Sequence, residues 1–556
     1  MLERVKVYHD ATKHHPQRYA KSLGDMDWAT QPDPFRRYEG AELVSLQLGP
    51  LDDEPRYEDL YRAGAAVPQP VNRRTLSAFF ECSFAISAWK SYKTSTWALR
   101  VNPSSGNLHP TEGYLICGVI DGVGDVPGVY HYAPREHGLE RRHSISAEYW
   151  QQVRGSAGEN AFLVGLTSIL WREALKYGER AFRYCQHDVG HALACLRLSA
   201  ARLGWQLRLI EESSDDDIAK TLGLDRDEDF AGAEREEPEL MALVSPSPVA
   251  GGIDLDSLVA TAAGPWFGKA NRLSKDHVDW DIIDMVADAT RKPRTPARQA
   301  QSTDPVDSDD APSRRKTEAE VPARDVILRR RSATDFDGQT SITAEQFYAM
   351  LARVIPGAEC RNPPWDSMTW TPRIDLAMFV HLVEGIPPGL YALVRYPVRL
   401  DRLRRAMKPK FEWSRPPECP ADLPLYHLLT ADARRAAMQL SLGQAIAGES
   451  AFSFGMLADF DGALTEEGPW FYRRLFWEAG MIGQVLYLEP EAVAIRQGSA
   501  LRATGIGAYF DDLVHDVFGL EGHAFQSMYH FTVGGAVEDT RLTTIPPYEH
   551  LAQSRA

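Results

Sequence analysis

Three short stretches of the chain gather groups suited to a flat, phosphorylated ligand. Residues 98–115 read ALRVNPSSGNLHPTEGYL, in which Pro103, Ser104, Ser105, Gly106 and Asn107 form a turn dense in donors and acceptors, directly ahead of the apolar run GYLICGVI. A tight polar turn leading into a buried strand can aim hydroxyls and backbone NH groups at the edge of a heteroaromatic ring. The same residues also make a good turn and nothing more. Residues 326–338, VILRRRSATDFDG, set Arg329, Arg330 and Arg331 before Ser332. Guanidinium groups beside a hydroxyl can grip a phosphate through charge-assisted hydrogen bonds, and they equally suit a solvated helix end. Residues 498–512, GSALRATGIGAYFDD, bring Arg502 together with Gly505 and Gly507, whose bare backbone lets an anion approach closely.

Other chemistry-bearing residues read differently. His187, Asp188 and His191 spell HDVGH, close to the HExxH of zinc hydrolases, where histidines one helical turn apart bind the metal and a glutamate activates water. Asp in place of Glu, and no evident third ligand, argue against zinc, so no metal site is expected. His109 stands beside the polar turn and suits either a ligand or the turn itself. Cys82, Cys117, Cys185, Cys195, Cys360 and Cys419 are scattered singly without a CxxC pair, which reads as small buried hydrophobes.

These groups need a frame. Val189, Leu193, Leu196 and Leu203 recur at helical spacing in DVGHALACLRLSAARLG, as do Ile482, Val485, Leu486 and Leu488 in EAGMIGQVLYLEPEAVAIRQG, so both segments are expected as core helices. They also look like diverged copies. An offset of 290 residues pairs Asp188 with Glu478, Gly190 with Gly480 and Arg183 with Arg473, and PGVYHY at 127–132 is echoed by PGLYAL at 388–393. Between the copies, residues 291–324 are almost free of large apolar side chains and rich in Pro, Ser, Asp and Arg. The expected layout is an N-terminal extension over 1–70, a first domain over 71–288, a flexible linker over 289–323 and a second domain over 324–556. Each domain is expected as an α+β or α/β sandwich, the two docked as an intrachain pseudo-dimer.

Composition narrows the partners. The chain has 556 residues, 44% hydrophobic and 25% charged, enough for several core layers without disulfides or metals. A net charge of −16 works against binding to a nucleic-acid backbone. No apolar run approaches the ~20 residues of a membrane helix, and the N-terminus, MLERVKVYHDATKHHPQRYA, lacks the apolar core of a signal peptide. A soluble, cytoplasmic protein is expected, with neither nucleic acid nor membrane as partner.

Taken together, YHDATKHHPQRY, DWATQPDPFRRYEGA, RVNPSSGNLHPTEGYL, KYGERAFRYCQHDVGHALACLRLSAARLG, WFGKANRLSKDHVDW, RRRSATDFDG and ATGIGAYFDD resemble the nitroreductase superfamily, specifically the tandem-domain form of the SagB/ThcOx-type FMN-dependent dehydrogenases, over nearly all of the chain outside the linker. The resemblance implies three-layer α+β domains with FMN at the interface between two of them. Arg330 and Ser332 match the family's Arg-x-Ser phosphate clamp, although Thr334 stands where a further basic residue is usual; Arg331 and Arg502 remain as nearby cations. Pro103, Ser104, Ser105 and Asn107 match the Pro-Ser-Ser-x-Asn loop that touches flavin from the other protomer, with Arg100 just ahead of it, and Gly505 and Gly507 complete the expected cofactor-binding set. One composite FMN site drawn from opposite halves follows. Its reciprocal is expected to be vestigial, because CRNPPWDSMTW lacks the Ser-Ser-Gly-Asn chemistry and Glu211 and Glu212 would repel a phosphate.

Lys176 and Tyr177, in ALKYGER, match a Lys-Tyr pair that azoline-oxidising relatives associate with proton removal. A desolvated lysine is a competent base, and the adjacent phenol can relay a proton. By sequence this pair belongs to the half with the polar turn, while the phosphate clamp belongs to the other. If the pair faces away from the composite site, Glu466, Glu467 and Gly468 approach it instead. The implied function is an FMN-dependent oxidoreductase. It either oxidises a small molecule or an azoline-type ring of a modified peptide, or reduces a quinone or nitro compound with NAD(P)H as a transient donor. The alternative is a catalytically inactive flavin-binding or scaffold subunit of a biosynthetic complex. The expected state is a monomeric pseudo-dimer or a further oligomer of it.

Overall fold

The structure, a computed structural model, describes residues 1–24, 31–155, 157, 158, 160–248, 251–296, 320–357 and 362–553; Cys360 and the body of the expected linker, 297–319, lie outside the described residues. Strands form where the apolar runs lie. In chain order they are β1 (Leu43–Ser45), β2 (Ile86–Tyr92), β3 (Ser95–Arg100), β4 (Thr111–Cys117), β5 (Gly128–Ala133), β6 (Gly138–Ser144), β7 (Phe162–Ser168), β8 (Gln206–Leu209) and β9 (Glu237–Ser245). The second half adds β10 (Ile374–Val380), β11 (Gly389–Leu393), β12 (Leu425–Thr430), β13 (Phe452–Asp459), β14 (Leu501–Ile506), β15 (Phe525–Gly535) and the short β16 (Thr543–Ile545).

Among the described residues, one sheet has the order β1-β6-β5-β4-β7-β9-β8 and a second has the order β12-β11-β10-β13-β15-β14. Every pairing in both is antiparallel. Leaving out β1, the two orders are the same strand for strand, with β5 and β11 carrying the PGVYHY and PGLYAL echoes. The central strands TEGYLIC and IDLAMFV are buried at every position, so each sheet is covered on both faces.

The cover comes from helices. We name α1 (Leu2–Ala11), α2 (Leu170–Tyr177), α3 (Ala181–Arg202) and α4 (Tyr472–Gln497). In α3 every residue except Ala201 is buried, and its charged members are paired inside, Arg183 with Asp511 and Arg197 with Asp366. Helices α3 and α4 cross backbone to backbone. A Cβ added at Gly190 would lie 2.2 Å from Trp477 O, and one at Gly480 would lie 2.3 Å from His187 O. Only glycine permits this approach, and the two glycines are the pair that the 290-residue offset aligns.

The chain ends cross over. Helix α1, from the N-terminus, docks on the second sheet's side, with His9 3.1 Å from Tyr472 Oη and 2.9 Å from Gln526 Oε1. Strand β16, from the C-terminus, pairs with β2 to make a β16-β2-β3 sheet, and Tyr548 Oη donates to Pro134 O at 2.9 Å. The described start of the expected linker is held rather than loose. Lys292 is buried with Nζ donating to Glu211 O at 2.6 Å and Ser213 O at 2.9 Å, and Arg294 forms a bidentate pair with Asp217. Composition alone missed this because it counts few apolar side chains and cannot see buried carbonyls waiting for a cation. Among the described residues, no helix is long and apolar enough to cross a membrane.

Candidate functional site

The polar turn is wound tightly. Gly106, Asn107 and His109 all have positive φ, at 64°, 57° and 50°. Glycine adopts this region freely and asparagine does so more readily than most residues. Ser104 Oγ accepts from His109 N at 2.8 Å, and Arg172 donates to His109 O at 2.6 Å. His109 Nε2 lies 3.3 Å from Ala98 O, and burial pushes the imidazole well below its ordinary pKa. His109 therefore braces the turn as a neutral ring.

Lys176 and Tyr177 close over this turn. A Cβ at Gly106 would lie 2.7 Å from Lys176 Nζ and 2.8 Å from Tyr177 Oη, so the glycine makes room for both. Burial lowers the Lys176 pKa, opposed by the neighbouring Glu173, and raises that of Tyr177.

The second wall comes from the other half. Arg330, at the end of a short helix (Ala323–Arg329), is buried, donates through Nη2 to Arg100 O at 3.1 Å, and stands with its guanidinium 4.9 Å from the Tyr487 ring. Tyr487 Oη, on α4, meets Ser332 Oγ at 3.0 Å and accepts from Gly505 N at 2.9 Å. One phenol thus ties Arg330, Ser332 and Gly505 into a single corner. Burial pulls the Arg330 pKa down, and the nearby Glu491 opposes this only in part. Arg331 spends its guanidinium on Ser87 O at 2.9 Å and Leu328 O at 2.8 Å, bracing the corner against β2. Arg502, on β14, is half-buried, 3.9 Å from Glu538.

The two walls join through tyrosines. A Cβ at Gly507 would lie 2.2 Å from Tyr184 Cε1, and the Tyr184 and Tyr177 rings are 4.3 Å apart. Lys176 and Tyr177 therefore sit on the same side as Gly505 and Gly507, whereas Glu466 turns away to pair with Arg373. The structure brings Arg100, the 103–107 turn, Lys176, Tyr177, Arg330, Ser332, Gly505 and Gly507 together, with Arg331 behind the wall. Sequence reasoning missed Tyr487, Tyr184 and Glu173. The offset pairs Tyr487 with Arg197 and Tyr184 with Arg474, and neither pair shares chemistry that would have flagged it. His187 and His191 face Met528 O at 3.0 Å and Tyr529 Oη at 3.4 Å. Among the described residues no cluster of three or more His, Cys, Asp or Glu could hold a metal ion.

Where the sequence placed the reciprocal site, the chain's own side chains pack against one another. Arg474 stands over Trp370, Trp470 and Trp477 at 4.6, 5.3 and 4.9 Å and donates to Glu211 at 2.9 Å. Thr369 closes on the same carboxylate at 2.6 Å, while Lys292 caps the Glu211 carbonyl. Arg474 and its partners hold the Glu211 carboxyl below its usual range despite burial.

The mixed α/β fold is nitroreductase-like. A solved chain described as a putative nitroreductase, from Anabaena variabilis, superposes with a TM-score of 0.65 at 21% identity, covering 96% of this chain and 99% of its own. The archaeal protein named Putative nitroreductase MJ1384, from Methanocaldococcus jannaschii, is 28% identical over 173 residues, which is 29% of this chain and 81% of that protein. No family model matches.

Proposed function

We propose that the protein is an FMN-dependent oxidoreductase of the tandem SagB type, with one flavin site between its two halves. The observation that carries this is Arg330. Its Nε and Nη1 are buried and have no hydrogen-bond partner among the described residues, and leaving buried charged donors unsatisfied is costly. A phosphate dianion would satisfy both NH groups, with Ser332 and Arg502 beside it. Asn102 Oδ1 and His109 Nδ1, flanking the turn, are likewise buried without partners. Orphaned donors at one end and a wound polar turn at the other fit a phosphorylated flat ring, so the residues suit FMN. Ser104, Ser105 and Asn107 would border its ring. FMN, when bound, supplies hydride transfer.

The chain's own part is to bind, orient and handle protons. Lys176, partly desolvated and touching the turn, is placed to take a proton from a donor substrate, with Tyr177 as its neighbour. The pair favours oxidation of a small molecule or an azoline-type ring in a modified peptide over NAD(P)H-driven reduction of a quinone or nitro compound. The reciprocal crevice, occupied by Arg474 and Glu211, is proposed to hold no flavin. The test is the purified protein itself. A yellow product with one FMN per polypeptide, bleached anaerobically by a substrate or by NAD(P)H, supports the reading. A colourless protein that FMN cannot reconstitute overturns it. A yellow protein that no donor bleaches points instead to a flavin-binding scaffold.

A further inference from the structure

The N-terminal segment crosses the chain directly after the Lys176–Tyr177 pair. Helix α2 is eight residues long, its last residues Leu175, Lys176 and Tyr177 are only half-buried, and the chain leaves it through Gly178 at φ 52° and ψ −130°. A helix this short, with such a last turn, frays unless something outside holds it. A Cβ at Gly178 would lie 2.1 Å from Lys21 O and 2.6 Å from Ser22 Cα, so the glycine makes room for the crossing backbone. Glu179, the next residue, is buried and directs each of its polar groups at the N-terminal segment. Its NH donates to Lys21 O at 3.0 Å, its carboxylate accepts from Lys21 N at 3.2 Å, and its carbonyl accepts from Tyr8 Oη, on α1, at 2.6 Å.

The other end of the segment is tied to the second half. Asp511, at the start of the helix after Gly507 (Asp511–Phe518), accepts from His14 N at 3.0 Å, Arg180 Nη1 at 2.9 Å and Arg183 Nη1 at 2.7 Å. Lys13 Nζ reaches Asp512 at 3.0 Å, while Arg180 also donates to Thr12 O at 2.7 Å and to Gly507 O at 3.3 Å. Residues 12–22 therefore run from the glycine end of the second half to the residue after the Lys-Tyr pair. The Tyr19 and Lys21 side chains on the way are exposed, and the backbone makes the ties.

The first half alone has this arrangement among the described residues. The 290-residue offset puts Gly468 and Pro469 where Gly178 and Glu179 stand, and proline offers neither an NH nor a carboxylate. A Cβ at Gly468 would meet nothing nearer than Trp470 Cδ1, at 3.4 Å. Glu466 and Glu467 replace the Lys-Tyr pair there, so the tie and the pair occur together and are lost together.

We propose that residues 12–22 form a strap that holds the Lys176–Tyr177 pair against the 103–107 turn, with Glu179 as its positioning residue. The consequence for proton transfer rests on the proposed function of Lys176; the strap does not.

Two measurements on the full chain, with no flavin added, test the strap. Hydrogen exchange is followed for the amides of Lys21 and of residues 175–179, and competitive acylation of lysine amines against pH gives the titration midpoint of Lys176. In the wild type the Lys21 and Glu179 amides are expected to exchange together, as one opening unit. Glu179→Ala removes the acceptor for Lys21 N and should speed exchange at 175–179 by about tenfold, the scale of one lost hydrogen bond to a charged group. The Lys176 midpoint, held below 10.5 by burial, should move up towards 10.5 as the helix end loosens. Gly178→Ala, which drives a methyl into Lys21 O, should do the same, whereas Glu179→Gln, whose amide oxygen still accepts from Lys21 N, should track the wild type. Lys292, buried elsewhere, should keep its midpoint in every variant. Independent exchange of the two wild-type amides, an unchanged Lys176 midpoint in Glu179→Ala, a Glu179→Gln variant as altered as Glu179→Ala, or an equal shift at Lys292 overturns the proposal. The expected pattern in a protein that never binds FMN supports the strap and overturns the cofactor reading alone.

Discussion

Arg330 is the side chain on which the proposed flavin site rests. Its guanidinium is out of water, touches only a carbonyl and an aromatic face, and keeps two NH groups unused. Replacing Arg330 and Ser332 together with alanine is therefore expected to abolish FMN retention through gel filtration while leaving the circular-dichroism spectrum intact. Lys176→Ala should keep the flavin and slow turnover, by roughly the 10²–10⁴-fold typical of a positioned proton acceptor. Because burial lowers the Lys176 pKa below 10.5, the wild-type rate should rise with pH through a value under 10.5 as the free amine forms. That limb should vanish in Lys176→Ala; a pH profile shared by both proteins would remove Lys176 from the mechanism. Arg330, Ser332 and the polar turn were legible in the sequence because residue type and order already specify their chemistry. Tyr487 and Glu173 were not, since a tyrosine and a glutamate inside helical runs look like ordinary helix residues until their neighbours are known.

Elements place these residues through close approach. The α3–α4 crossing admits no side chain at its centre, so Gly190→Ala would drive a methyl into the Trp477 backbone. A loss of about 3 kcal/mol is expected, the upper range for overpacking a core, measured by urea denaturation. Flavin content should fall with it, because α3 carries Tyr184 and α4 carries Tyr487. The first sheet holds a second device. His131 on β5 lies between Glu112 on β4, at 3.0 Å, and Glu140 on β6, at 2.9 Å, and these two carboxylates raise its pKa to about 9 against burial. The folded pKa exceeds the unfolded value of 6.5, so the stabilisation is complete below pH 6.5 and is lost as pH rises through 9. Wild-type stability should drop over that window, and His131→Gln should lack this component of the drop. The helices and strands were largely readable from apolar spacing. The His131 bridge was not, because its three members lie on three different strands and meet only in register.

At the scale of the molecule, the proposed site draws its two walls from opposite halves of one chain, and the chain's own side chains pack where a reciprocal site would lie. Arg474, seated among three tryptophans and bonded to Glu211, occupies the reciprocal crevice, so FMN titration should saturate at one per polypeptide. Two bound flavins would show that the crevice opens. The crossed ends bind the halves to each other. Deleting residues 543–556 removes β16 and Tyr548, which pack with Phe35 and Ile86, and Arg100 stands 5.6 Å from the Phe35 ring. The truncated protein is expected to melt at lower temperature and to retain less FMN, read by thermal denaturation and by flavin absorbance.

Local order and composition were enough to mark the polar turn, the arginine clamp, the glycine-rich strand end, the core helices and the 290-residue echo, because each depends on neighbours within a few positions or on a repeated pattern. Tertiary structure alone decided which of them meet. Arg100 and Arg330 are 230 residues apart in sequence and 3.1 Å apart in space. Tyr177 meets the strand end at Gly507 because the Tyr184 ring lies between them, and Lys292 at the linker's start is buried because the Glu211 and Ser213 carbonyls accept its ammonium. The physical reason is that long-range contacts are set by how sheets and helices dock, and no local spacing encodes the distance between two surfaces that touch only after folding.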